Sequence, residues 1–229
     1  MSVLGVSQKE REIFRIMDAI NLAVCDQRLP PGTRLIESQL VNTFDANRNH
    51  VRAAIQRLAL RRIVTISPNK GASVSAPQLD EAQDVLAARA LIEKGVIEQL
   101  VTKVTDKDLL KLERHLALES QAMARGDRLA IIKRSGEFHT LLATLNGNQV
   151  LSEILRDLIT RSSLIIAIYQ REQQMRCGCT DHQALVTAIE QKDELAAISL
   201  MASHLKDIEL SLNLDFWKNK TVNLSDVFQ

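Results

Sequence analysis

All four prolines of this 229-residue chain lie at or before Pro77. From Gln78 to about Leu214 there is none, and glycine occurs there only at Gly95, Gly126, Gly136, Gly147 and Gly178. A stretch that long without a helix breaker and without strand-like alternation predicts an all-helical bundle. The spacing places helices at about 80–104, 106–125, 128–145, 149–173, 181–191 and 194–214. Local chemistry marks the breaks: a cap at Thr105-Asp106, a stop and restart at Gly126-Asp127, and a C-cap and N-cap pair across Asn146-Gly147-Asn148. Cys177-Gly178-Cys179-Thr180 reads as a loop and Gln191-Lys192-Asp193 as a tight link. Seven aromatic residues leave the core to Leu, Ile, Val and Ala, which suits packed helices.

The proline-bearing head reads differently. Residues 8–28 form an amphipathic helix with Ile13, Ile16, Met17, Ile20 and Val24 on one face. Pro30, Pro31 and Gly32 end it. A short helix follows from near Ile36, burying Leu35, Leu40 and Phe44, and Asp45-Ala46-Asn47 makes a turn in which Asn47 caps the next helix. There Val51, Ala54, Ile55 and Leu58 recur at helical spacing, while Arg48, Asn49, His50 and Arg52 fall on the first turn and mostly on the other face, as a recognition helix presents its N-terminal residues to base edges. Ile63 to Ile66 and Ala72 to Ser75 are β-prone runs joined through Ser67-Pro68-Asn69-Lys70-Gly71. A hairpin in that position is a wing, with Lys70 at its tip within reach of a phosphate or the minor groove.

Charge divides along the same line. Residues 1–77 carry eleven Lys or Arg against six Asp or Glu, and the rest eighteen against twenty-two. A basic head on a mildly acidic body fits nucleic acid at one end only. The expected domains are 1–77, a winged helix-turn-helix, and 78–229, a helical effector-binding and dimerisation domain. Three cysteines are too few for a disulfide framework, and charges interrupt every apolar run, so the expectation is a cytoplasmic protein with no membrane partner. The Cys177/Cys179 pair is a soft metal or redox site or simply part of a loop.

Three histidines of the bundle invite a site. His139 shares the inward face of its helix with Ile132, Ser135, Phe138 and Leu142. His182 and His204 stand nearly equal distances before and after the link at Lys192, so in an antiparallel hairpin they come level. Imidazoles converging from different helices suit Zn, Ni or another borderline divalent ion. His50 is a surface residue with a phosphate contact in prospect, and His115, within KLERHLALES, reads as solvated. Arg89 either forms a surface ion pair with Glu93 at i+4 or clamps a small carboxylate. Tyr169 and Arg161 are weaker candidates for a pocket wall.

The segments PPGTRL, ESQL, NRNHVRAAIQRL and IVTISPNKGASV resemble the winged helix-turn-helix of the GntR superfamily of bacterial transcription regulators. ARALIEKG, GEFHTLLATLNGN, DHQALVTAIEQKD and LMASHL are similar to the FCD ligand-binding domain of its FadR-like branch. The resemblance implies that Arg48 and Arg52 contact bases and phosphates, with Asn47, Asn49 and His50 beside them and Lys70 and Gly71 at the wing tip. It implies a divalent metal on His139, His182 and His204, with Ser135 standing where the family has a carboxylate, and an effector near Arg89 and Ser135. Asp45 replaces the usual turn glycine, and Arg61-Arg62 the usual acidic-Gly pair ahead of the wing. The reading is a non-enzymatic regulator that binds palindromic double-stranded operator DNA as a homodimer and responds to a small organic acid. Two alternatives stand beside it. A metal-dependent hydrolase would use the three histidines but lacks a general base, since Glu137 points away from His139; a metal-free sensor would bind the acid on the histidines directly.

Overall fold

The computed structural model describes residues 7–170, 178–213, 217 and 222–228. The chain forms two compact units, one of Met1–Ala76 with Asp215–Gln229, the other of Pro77–Leu214. The end of the chain, included above in the 78–229 domain, thus belongs with the first unit, a non-local contact that periodicity does not reveal.

In the first unit α1 (Gln8–Cys25) starts at Ser7, whose hydroxyl accepts from the Glu10 amide. It stops three residues short of the expected 28 because Gln27 turns left-handed, at φ 54°, and the Arg28 and Leu29 amides fold back onto the Ala23 carbonyl. Its apolar stripe Ile13, Ile16, Met17 and Ile20 is buried, packed against α3. α2 (Glu37–Phe44) buries Leu40 and Phe44. Asp45 takes the left-handed turn itself, at φ 45°, a conformation Asp tolerates better than most residues. α3 (Arg48–Leu60) is capped by Asn47 and buries Val51, Ala54, Ile55 and Leu58. β1 (Val64–Ser67) and β2 (Gly71–Val74) pair antiparallel, Val64 opposite Val74 and Ser67 opposite Gly71. Both strands sit one residue from their expected limits. The Pro30-Pro31-Gly32 segment leads into a short bridge, Arg34 with Ser73, that extends the wing sheet. The four-residue helix α10 (Leu224–Val227) buries Leu224 and Val227; it packs on α2, with Phe228 at 4.9 Å from Phe44 between ring centroids.

The second unit is α4 (Leu79–Lys103), α5 (Asp106–Arg125), α6 (Arg128–Asn146), α7 (Gln149–Tyr169), α8 (Gly178–Glu190) and α9 (Glu194–Ser211). The ends follow the local chemistry. Thr105 and Asp108 form a capping box on α5. Gly126 and Gly147 take φ 63° and 81° as C-caps, a backbone state glycine adopts at little steric cost. Asp127, Asn148 and Asp193 accept the third amide of the following helix. α8 begins earlier than expected, taking Gly178 to Thr180 into the helix rather than leaving them in a loop. The cysteine-pair question lies outside the described residues. α4 packs on α6, α7 and α9, and α8 lies against α5 and α9. The core is mostly aliphatic: Ile97, Leu100, Leu112, Leu142, Leu155, Ile189, Met201 and Leu205 belong to it, with Phe138 among them.

Candidate nucleic-acid interface and metal centre

The first turn of α3 carries the expected cations outward. Arg48, Asn49 and Arg52 are exposed, and His50 is half-buried. Asn47 spends its side-chain oxygen on the cap, accepting from the Asn49 amide at 2.8 Å. Arg52 donates from Nε and Nη2 to the two carboxylate oxygens of Glu37, at 3.0 and 2.9 Å. The hydrogen bond from Arg52 holds Glu37 below the usual carboxylate range. Lys70 and Gly71 lie exposed at the hairpin tip, Gly71 at φ 79°. Arg57, a turn further along α3, is turned back onto Glu10 at 2.7 Å.

The bundle brings His139, His182 and His204 together. All three are buried, and one ligand nitrogen from each lies within 4.8 Å of the others. His139 comes from α6, His182 from α8 and His204 from α9. His182 Nε2 is 3.2 Å from His204 Nε2, and Phe138 stacks on His182 at 4.1 Å. Ser135, one helical turn before His139, is half-buried.

Every imidazole of the cluster meets a carboxylate through Nδ1. His139 Nδ1 lies 2.5 Å from Glu93 Oε2. His182 Nδ1 lies 3.0 Å from each oxygen of Glu119, and His204 Nδ1 lies 3.2 Å from Asp181 Oδ2. Burial alone would raise Glu93, but the charges of Arg89 and His139 hold it down to about 2. Burial also opposes the lowering of Glu119, which the hydrogen bonds from His115 and His182 nevertheless bring to about 2. The hydrogen bond from His204 lowers Asp181. Ionised carboxylates only accept, so the proton of each ring sits on Nδ1. Burial holds His139 down to about 3 against the pull of Glu93, and it lowers His182 as well. At neutral pH these two rings are uncharged and present bare Nε2 lone pairs.

That is the tautomer a metal ligand needs. His139 Nε2 is buried and has no hydrogen-bond partner among the described residues. His182 Nε2 and His204 Nε2 face each other across 3.2 Å, each ring with its Nδ1 against a carboxylate, a placement that suits a cation shared between them. Two nitrogens bound tetrahedrally to one ion at about 2.0–2.1 Å stand roughly 3.3 Å apart. The residues present therefore fit a divalent transition metal.

Arg89 is neither a surface residue nor in a surface ion pair. It is 2 % exposed, as is Glu93, and its Nε donates to Glu93 Oε1 at 2.7 Å. Its Nη1 donates to Ser162 Oγ at 3.0 Å, while Nη2 is buried with no partner among the described residues. His115 is half-buried rather than solvated: its side chain is 11 % exposed, and Nε2 lies 2.8 Å from the Arg134 carbonyl and 3.6 Å from Glu119. Burial opposes the upward shift of His115, which the contacts with Glu119 and that carbonyl produce. Tyr169 donates to the Pro77 carbonyl at 2.9 Å, and Arg161 pairs with Glu81 at 2.9 Å. Glu137 is engaged with Arg134 at 2.7 Å, away from the cluster.

Sequence reasoning missed Glu93, Glu119 and Asp181 as partners of the cluster. A signal for one was present: Leu112, His115, Leu116 and Glu119 share a face at helical spacing, so a buried leucine stripe carried His115 and Glu119 inward with it.

Residues 84–207 match the FCD domain, and residues 14–74 match the bacterial regulatory proteins of the gntR family. The repressor NanR of Cronobacter sakazakii is 26 % identical over 193 residues, covering 75 % of this chain and 74 % of its own length. The repressor RspR of Escherichia coli is 22 % identical over 205 residues, covering 88 % of each chain. Among solved structures, a GntR protein from Rhodococcus sp. RHA1 superposes with a TM-score of 0.69 at 23 % identity, over 87 % of this chain and 96 % of that one. Escherichia coli McbR/YncC gives 0.64 at 20 % identity, over 85 % and 93 %. No helix among the described residues is long and apolar enough to cross a membrane. With its winged helix-turn-helix followed by a helical FCD domain, the chain belongs to the GntR family of bacterial transcription regulators, in its FadR-like branch, and is not an enzyme.

Proposed function

We propose that this ligand-responsive regulator grips palindromic operator DNA as a homodimer. Arg48, Asn49 and Arg52 meet the major groove, Asn47 and His50 flank them, and Lys70 and Gly71 meet the backbone or the minor groove. Exposed cations at the start of a helix whose opposite face is fully buried support that reading. In the helical domain His139, His182 and His204 hold a divalent transition metal, Zn or Ni by donor type. When bound, the ion supplies a fixed positive charge with positions open to a carboxylate. Arg89, held by Glu93 and Ser162, keeps Nη2 for an acid oxygen, and the Ser135 hydroxyl lies one turn from His139 to receive another.

The observation that carries the effector reading is the pair of buried, unsatisfied polar atoms, His139 Nε2 and Arg89 Nη2, joined through the two oxygens of Glu93. Each such atom costs about 1–3 kcal/mol until something partners it. An acid that binds one arrangement of the bundle more tightly than another shifts the population toward it. In a dimer that arrangement sets the separation of the two recognition helices, which must match half-sites about 34 Å apart or a multiple of it.

Metal content per chain after gentle purification, a thermal-shift screen of small organic acids with and without Zn2+ or Ni2+, and a DNA titration with any hit test the reading. Near-stoichiometric metal is expected, together with an acid-dependent rise in thermal midpoint. Metal far below one equivalent with acids still binding would favour the metal-free sensor. Arg48→Ala and Arg52→Ala should each abolish operator binding with the fold intact, and wild-type binding in both removes the DNA assignment.

A further inference from the structure

We propose that Glu93, Glu119 and Asp181 are positioning residues of the three-histidine centre, each fixing one imidazole so that its Nε2 faces the metal. This rests on the metal reading above.

The three pairs join different elements or different turns of the bundle. Glu93 of α4 serves His139 of α6, Glu119 of α5 serves His182 of α8, and Asp181 of α8 serves His204 of α9. None is a short-range helix pair, so none is a by-product of helical spacing. Two of the carboxylates are costly to keep. Glu93 is 2 % and Glu119 3 % exposed, and an apolar residue of similar volume commonly serves stability as well as a buried charge. Nor does the arrangement satisfy the rings for their own sake. His139 has a carboxylate on Nδ1 and, among the described residues, nothing on Nε2, whereas a merely structural histidine is expected to have both nitrogens satisfied. What the three carboxylates share is the end result, one ring proton placed outward and one lone pair placed inward.

Their weights differ. Glu93 makes the shortest contact, at 2.5 Å, and its other oxygen fixes Arg89. Glu119 spans His182 with both oxygens and is backed by His115 at 3.6 Å. Asp181 is farthest, at 3.2 Å, and its side chain is 33 % exposed, so water can replace it. The expected order of loss is Glu93, then Glu119, then Asp181.

The test is competition of full-length, chelator-treated protein with a chromophoric chelator for Zn2+ and Co2+. It compares wild type with Glu93→Gln, Glu119→Gln and Asp181→Asn, and with Asp207→Asn, an exposed carboxylate outside the cluster, as control. Glu119→Gln should weaken the metal by about 10–100-fold. Asp181→Asn should weaken it measurably but less, and Asp207→Asn not at all. A purely structural role would lower the metal-free thermal midpoint; a positioning role weakens the metal in Asp181→Asn at an unchanged metal-free midpoint and shifts the visible Co2+ spectrum. Should Glu93→Gln fail to fold, the other two variants still decide the question. Wild type that binds metal while Glu119→Gln and Asp181→Asn bind it equally well overturns this assignment alone. Wild type that takes up no metal overturns the metal reading and this assignment with it.

Discussion

Replacing Arg89 by Met removes the guanidinium and leaves most of its volume filled. It strands Glu93, which is 2 % exposed and accepts from Arg89 Nε at 2.7 Å. Breaking a buried pair by deleting one partner costs about 3–5 kcal/mol, because an uncompensated charge remains in the interior. For a unit of this size that is a fall in thermal midpoint on the order of 10–20 °C. The pH dependence gives a second signature. In the native protein Glu93 is held down to about 2 and His139 to about 3. Both folded values lie below the unfolded ones, so their contribution is present above about pH 6.5 and is lost as pH falls, first through His139 and then through Glu93. Without Arg89, burial pushes Glu93 up and the Glu93–His139 pair takes a proton more readily. A folded value raised above the unfolded one stabilises at low pH and loses that stability as pH rises. The deficit of Arg89→Met should therefore be largest near pH 8 and shrink toward pH 5. Urea unfolding of chelator-treated protein at stepped pH, followed by far-UV circular dichroism, measures both effects. A deficit below about 1 kcal/mol at pH 7, or one that grows as pH falls, would show that Glu93 does not depend on Arg89 as described.

Three further outcomes follow from particular contacts. Glu37→Gln frees Arg52 from its bidentate partner, and operator affinity measured by fluorescence anisotropy should rise by about two- to five-fold at low salt; a decrease would mean that Glu37 pre-orients Arg52 instead. A Cβ on Gly136 would stand 2.9 Å from Ile159 Cγ2 and 3.2 Å from Ser163 Oγ. Gly136→Ala gains about 1 kcal/mol of helix propensity but meets an overpacking cost of about 1–3 kcal/mol, so a net loss in urea unfolding is expected, and a stabilised variant would show that α6 and α7 separate freely. Truncation after Asn223 uncovers Phe44 and removes buried Leu224 and Val227 along with the Val227 carbonyl that accepts from Arg28. A loss of about 2–4 kcal/mol in the first unit is expected by calorimetry, and an unchanged transition would mean that the terminal segment contributes nothing.

The winged head was legible because its determinants are local. Asn47 caps α3 two residues from the amide it accepts, and Val51, Ala54, Ile55 and Leu58 define the buried face without reference to anything distant. The bundle's ends were legible for the same reason, through Thr105 with Asp108 and through Gly126 and Gly147. The three histidines could be grouped because His182 and His204 flank one tight link. Their carboxylates could not, because the sequence separation between Glu93 and His139 or between Glu119 and His182 carries no periodic signal. The docking of α10 on α2 was hidden likewise: Leu224, Val227 and Phe228 are too few to form a pattern, and their partners lie near the other end of the chain.

Ser135 gains meaning from those carboxylates. Where the family resemblance places a direct carboxylate ligand, this chain has a hydroxyl, and its negative charge stands one residue removed, on Glu93, Glu119 and Asp181. Glu93 is already offset by Arg89, so an ion on three neutral imidazoles would keep more of its charge toward its open positions than one with a carboxylate bound directly. An acid anion would then supply what Ser135 does not, and each ligand should strengthen the other by the same factor, since coupling between two binding events is reciprocal. About 5- to 150-fold is the usual span of such coupling. With citrate and malonate as probes, Zn2+ affinity by chelator competition should rise with acid concentration in the wild type. Ser135→Asp should bind Zn2+ more tightly with no acid present and respond to the acid less. Equal acid dependence in the two proteins would show that the anion does not occupy the position Ser135 leaves open.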